Sequence, residues 1–164
     1  MGYIILTFLL TVNLFSTQAQ ERHFNLIISI DEKVEAGNIQ DTYVILKSKK
    51  QIAEKFDVDY EPGDLSLSEE LYDEISNEEE KEIYLHFSYT EYCGEEEKFY
   101  EYEIRFYKSW FENRFLLLYV YNTEKEKYKD IFDPKEGKTY NYEYSFPGSH
   151  ARLITKKPRE DRCK

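Results

Sequence analysis

Four stretches of this chain place a large apolar side chain at every second residue, a period that suits a strand with one buried face and does not suit a helix. Phe24, Leu26, Ile28 and Ile30 form the first stretch, and Ile83, Leu85, Phe87 and Tyr89 the second. Tyr100, Tyr102, Ile104 and Phe106 alternate against Glu101, Glu103 and Arg105, and Tyr140, Tyr142, Tyr144 and Phe146 alternate against Asn141, Glu143 and Ser145. Thr42 to Lys47 reads as a further strand. Phe115 to Tyr121 is apolar throughout, as expected of a strand covered on both faces. After the Pro147-Gly148 turn, Ala151 to Thr155 reads as a last short strand.

The expected fold is all-β, an antiparallel two-sheet sandwich of immunoglobulin-like or transthyretin-like arrangement, with a small closed β-barrel as the alternative. One segment departs from the period of two. Leu67, Leu71 and Ile75 stand at helical spacing, and Ser66 with Glu69 is placed like a capping box, which predicts one short helix near 68–77.

The first nineteen residues stand apart. Met1 to Ala19 contain no Lys, Arg, Asp or Glu, Tyr3 to Phe15 are nearly all apolar, and Thr17 and Ala19 offer small side chains before Gln20. This is the pattern of a secretory signal peptide cleaved after Ala19, although its start lacks the usual basic side chains. The apolar run is too short for a membrane span, which needs roughly 20 residues. An exported protein, secreted or periplasmic, is therefore expected, with no membrane insertion after cleavage. The ending Ser-Thr-Gln-Ala-Gln looks like that of bacterial exported proteins. Residues 20–164 are the size of one domain, and no repeat or composition break divides them.

The net charge is −11. Such a body repels phosphate backbones, so nucleic acid is an unsuitable partner. The charge is uneven: residues 151–164 hold six basic and two acidic side chains, a net of +4, which leaves −15 on residues 20–150. The two cysteines fall one on each side of this division. Cys93 lies among Glu91, Glu95, Glu96 and Glu97, and Cys163 ends the basic tail. In an exported chain such a pair reads as a disulfide, and closing about 70 residues would stabilise the fold by roughly 4 kcal/mol.

No stretch carries a recognisable catalytic, metal or cofactor signature. Asp57, Asp59, Glu61, Gly63 and Asp64 resemble a calcium loop, but Pro62 stands where an EF-hand needs glycine and Ser68 where it needs glutamate. His23, His86 and His150 lack zinc spacing, and there is no G-x-S-x-G elbow. The expectation is a monomeric, non-enzymatic binding or interaction module for a protein or glycan. A small periplasmic hydrolase or lyase using acidic residues, or a structural envelope protein, is the alternative. The candidate partner contact is the pair Trp110 and Phe111 on the loop 108–114, where the rival role for Trp110 is to plug the open end of the sandwich.

Overall fold

The computed structural model describes residues 21–34, 37–48, 53–77 and 81–146, with the backbone of 149–150. The expected signal peptide, the strand expected at 151–155 and Cys163 lie outside the described residues. The strands are β1 (Glu21–Phe24), β2 (Leu26–Ile30), β3 (Lys33–Val34), β4 (Ile39–Lys47), β5 (Glu54–Asp57), β6 (Asp59–Glu61) and β7 (Asp64–Ser68). Helix α1 (Glu69–Asn77) follows, then β8 (Glu82–Cys93), β9 (Glu96–Phe106), a 3₁₀ turn at Lys108–Trp110, β10 (Leu116–Asn122), α2 (Glu126–Lys129), β11 (Tyr140–Phe146) and β12 (Ser149–His150).

The fold is an all-β sandwich with a short helix. Its strands form a sheet of order β12-β11-β10-β2-β3, a second of order β5-β4-β8-β9, and a small third sheet, β1-β7-β6. None closes into a barrel. Pairing is antiparallel apart from β2 beside β10, where Leu26 to Ile30 run parallel to Leu116 to Val120. The third sheet and this parallel pair depart from the simple antiparallel two-sheet expectation. Periodicity reports which face a residue takes but not which strand lies beside it.

The alternating side chains make the core. Leu26, Ile28 and Ile30 from β2, Leu85 and Phe87 from β8, and Ile104 from β9 are buried in one cluster. Leu71 and Ile75 bring α1 onto it. The helix begins where strand β7 ends, and its capping serine is Ser68 rather than Ser66, since Ser68 Oγ accepts the Leu71 N–H at 3.2 Å. Ser66 is still inside β7. A smaller cluster of Tyr121, Tyr128 and Phe132 covers the outer face of β10 at Tyr121, whereas Leu117 and Tyr119 on that face are only half-buried and Phe115, just before the strand, is exposed, so the apolar run is covered on both faces only at its far end.

Tyr140 joins the two larger sheets. Its ring meets Tyr102 edge-on at 4.9 Å. Its hydroxyl accepts the Glu103 N–H at 2.7 Å and donates to the Glu103 carbonyl at 2.8 Å. Both backbone groups belong to β9, the edge strand of its sheet among the described residues, so one phenol completes the bonding of an edge residue that no described strand reaches. Burial and the Glu103 charge raise the Tyr140 pKa, against the opposing Glu103 backbone bond, to about 12. Tyr140→Phe is expected to lower stability by about 1–3 kcal/mol, because both Glu103 backbone groups lose their partner. Urea denaturation would measure this, and hydrogen exchange should show the Glu103 amide becoming less protected.

Candidate functional site

Trp110 is not available to a partner. It is 2% exposed, with ring centroids 4.1 Å from Tyr144, 4.9 Å from Phe106 and 5.3 Å from Tyr107. The 108–114 loop is no hairpin end: it carries the chain from β9 across to β10 in the other large sheet, and the indole fills the space between them. Phe111 is half-buried against Phe24 at 5.0 Å and Phe106 at 5.8 Å. The expected contact pair thus belongs to the core and its margin, and Trp110 takes the plugging role.

The apolar surface appears instead on the β8–β9 hairpin. Eleven residue pairs, Ile83↔Phe106 to Cys93↔Glu96, make it the longest ladder among the described residues. Its distal third overhangs the core, with Phe99 71% and Tyr92 59% exposed. Tyr92 stands opposite Glu97 and Thr90 opposite Phe99, so Tyr92 and Phe99 share the outer face as diagonal neighbours. Glu95, Glu96 and Glu97 surround the Gly94 turn, where φ is +70° and glycine is the natural occupant. Cys93 is exposed at this turn. Its pairing partner from the sequence reading, Cys163, is outside the described residues.

The overhang also presents backbone. Glu103 turns its N–H and carbonyl away from β8 toward Tyr140. By the period of two, Glu101, Phe99 and Glu97 turn theirs the same way. No strand lies beside them in the described sheet. The Tyr140 hydroxyl therefore covers the β9 edge at Glu103, and the far half of that edge has no neighbouring strand among the described residues.

A charge network holds the base of the overhang. Lys125 Nζ lies 2.7 Å from Asp31 Oδ2 and 2.5 Å from Glu91 Oε1, and Tyr100 donates to Glu91 Oε2 at 3.2 Å. Burial pushes the Glu91 carboxyl up, but the bonds from Lys125 and Tyr100 outweigh it and hold the pKa below its ordinary value. Burial likewise opposes the Lys125 charge, and the two carboxylates overcome it, raising the lysine pKa. Asp31 also accepts the Asn122 N–H at 2.9 Å. It reaches there from a two-residue hairpin turn, Asp31-Glu32, in which φ is 50° and 71°. These are left-handed values that L-residues adopt at a cost of about 1–2 kcal/mol each. Above the network a recess of about 690 Å³ opens between Cys93, Lys98, Phe99 and Glu124.

Two other clusters invite a catalytic reading. His23, Asp64 and Ser66 meet on β1 and β7, but Asp64 at 2.9 Å and Ser66 at 3.2 Å both contact the same atom, His23 Nδ1. A Ser-His-Asp relay needs the serine on one ring nitrogen and the carboxylate on the other. His86 sits in an open recess of about 370 Å³ with Glu101, Glu103, Lys138 and Tyr140. It stacks on Tyr43 at 4.3 Å, and its Nδ1 is buried without a hydrogen-bond partner. Glu103 is engaged by Lys47 and Lys138, each at 3.4 Å. The acidic turn 57–64 does not form a cage: Asp57 pairs with Lys55, Asp64 with His23, and Asp59 and Glu61 lie along β6. Among the described residues no three His, Cys, Asp or Glu side chains gather as metal ligands, and no helix is long and apolar enough to cross a membrane.

The residues at this surface that sequence reading passed over, Tyr92 and Phe99, have a weak signal. Phe99 breaks the polar side of its own alternating stripe.

Replacing Glu32 with glycine removes one left-handed side chain and one exposed ion pair, to Lys127. The first effect exceeds the second, so Glu32→Gly is expected to raise stability by about 0.5–1 kcal/mol, read from the denaturation midpoint.

No protein-family model, no curated protein and no solved structure matches this chain.

Proposed function

We propose that this protein is an exported, non-enzymatic interaction module that takes up an extended, basic polypeptide segment along the open half of the β9 edge. The observation that carries the reading is the divided edge: Tyr140 satisfies β9 at Glu103, while among the described residues no strand lies on the outer side of Glu97, Phe99 and Glu101, and Phe99 is exposed. An added strand gains main-chain hydrogen bonds there, and side-chain positions beside Phe99 supply selectivity. Glu95, Glu96, Glu97 and Glu101 favour lysine and arginine in the ligand and speed its approach at low salt.

The test is fluorescence anisotropy of an extended Lys/Arg-containing peptide with the reduced chain. Phe99→Pro removes an outward N–H without taking a bond from the β8 ladder, and is expected to weaken binding at least tenfold. N-methylation of alternate peptide residues should have the same effect on the unmodified protein, which guards against misfolding of the variant. Unchanged affinity in both arms would overturn the proposal.

The second reading, a small hydrolase or lyase, draws on the His86 recess. Burial lowers the His86 pKa below its ordinary 6.5, against the pull of Glu101 and Glu103, so the ring is neutral at pH 7 as a general base requires. Its buried Nδ1 has no orienting partner, which speaks against the role. As a structural group, a histidine with a depressed folded-state pKa contributes stability that is present above pH 6.5 and lost as pH falls toward the folded value. His86→Phe, which keeps the stack on Tyr43, is expected to flatten the stability profile just below pH 6.5. An unaltered acid limb would remove His86 from that account.

A further inference from the structure

A strand edge that takes up a peptide also dictates the order of side chains along that peptide. We propose that the occupant of the β9 edge is an extended stretch with lysine or arginine two residues to either side of a central aromatic or β-branched side chain, and with no charge requirement between. This deepens the edge reading above and rests on it.

The register follows from Glu103. Its N–H and carbonyl both point outward from the sheet, where the Tyr140 hydroxyl bonds them. A strand repeats its backbone direction and its side-chain face at every second residue, so Glu101, Phe99 and Glu97 are the next outward positions. Their partners on β8 are Ser88, Thr90 and Tyr92, in line with His86 opposite Glu103. Glu97, Phe99 and Glu101 therefore form one row on one face. A ligand residue seated opposite each of them turns its own side chain to that face, whichever way the ligand runs.

The chemistry of the row is carboxylate, ring, carboxylate. Nearby carboxylates are already matched: Lys125 holds Glu91, and Lys47 with Lys138 holds Glu103. Glu97 and Glu101 have no ion-pair partner among the described residues. Phe99, 71% exposed, stands between them. The complement is cation, ring or branched side chain, cation. The two intervening ligand residues turn to the opposite face, beside Lys98 and Tyr100. The recess there is lined by two cations, Lys98 and Lys125, and two anions, Glu91 and Glu124, so it selects no charge. Sliding the ligand by one residue would carry both of its cations to this face.

Both ends of the paired stretch are fixed. β9 begins at Glu96, beside the Gly94 turn, so Glu97 is the first outward position within the strand. At the other end Tyr140 occupies both backbone groups of Glu103, and pairing past Glu101 would have to displace that phenol. Around this stop lies the recess of about 370 Å³ lined by His86, Glu101, Glu103 and Lys138. It leaves room for the long side chain of the cation opposite Glu101.

The test compares two peptides of one composition, Thr-Lys-Thr-Phe-Thr-Lys-Thr and Thr-Thr-Lys-Phe-Lys-Thr-Thr, by fluorescence anisotropy with the reduced chain at low salt. The first is expected to bind at least about threefold more tightly, since only its cations reach Glu97 and Glu101. The double variant Glu97→Lys, Glu101→Lys should bind Thr-Glu-Thr-Phe-Thr-Glu-Thr at least about threefold more tightly than the unaltered chain does. Equal affinity of the two lysine peptides, tighter binding of the second, or indifference of the glutamate peptide to the double variant would overturn the motif while leaving the edge as a peptide site. Binding of none of the three peptides would remove the edge itself, and the motif with it.

Discussion

Every strand at the border of a sheet carries backbone donors and acceptors on one side that must be bonded, hydrated or covered. In this protein that requirement shapes the relation between the two large sheets. β9 borders one sheet and β11 stands near the border of the other, and the Tyr140 hydroxyl spans them with two bonds to a single residue, Glu103. The same ring packs edge-on against Tyr102, so one side chain contributes to the core and closes the border. Tyrosine suits this position because its apolar body belongs inside while its polar tip needs a partner. A phenylalanine would serve only the first need.

Beyond Glu103 this cover stops and the hairpin continues. The overhang does not rest on apolar packing, since Glu96 to Phe99 are all exposed. It rests on Lys125, held between Asp31 and Glu91. The ion pairs are partly shielded from water, and Tyr100 adds a hydrogen bond to the same carboxylate. Asp31 is positioned by a turn of left-handed residues, so local strain in one hairpin secures the base of another.

The alternation of apolar residues made the strands and their buried faces legible, because the pleat has a period of two that sequence displays directly. Leu26, Ile28, Ile30, Leu85, Phe87 and Ile104 are where their stripes put them. The helix was legible from Leu71 and Ile75, though the strand before it runs on to Ser68 and takes the capping role with it. Strand order was not legible. The parallel pairing of β2 with β10 depends on contacts between distant segments, and the local pattern contains no trace of it. Trp110 shows the same limit from the other side: a loop between two strands looks exposed until it is known that the strands belong to different sheets. Phe99 was hidden because a stripe of Tyr100, Tyr102 and Ile104 draws attention to the opposite face. The open edge beside it is a property of sheet order, which no single segment encodes.

Parallel pairing of β2 with β10 has a consequence for how the chain assembles. Roughly ninety residues separate Leu26 from Leu116, its neighbour in the ladder. The oldest long strand of the growing polypeptide must wait for one of the youngest before its place in the sheet exists. Local hairpins such as β8–β9 close short loops, whereas the seam between β2 and β10 spans the longest sequence separation among the described ladders. Until it joins, Leu26, Ile28 and Ile30 are uncovered, and this is the interval in which the protein most needs shelter from its own copies.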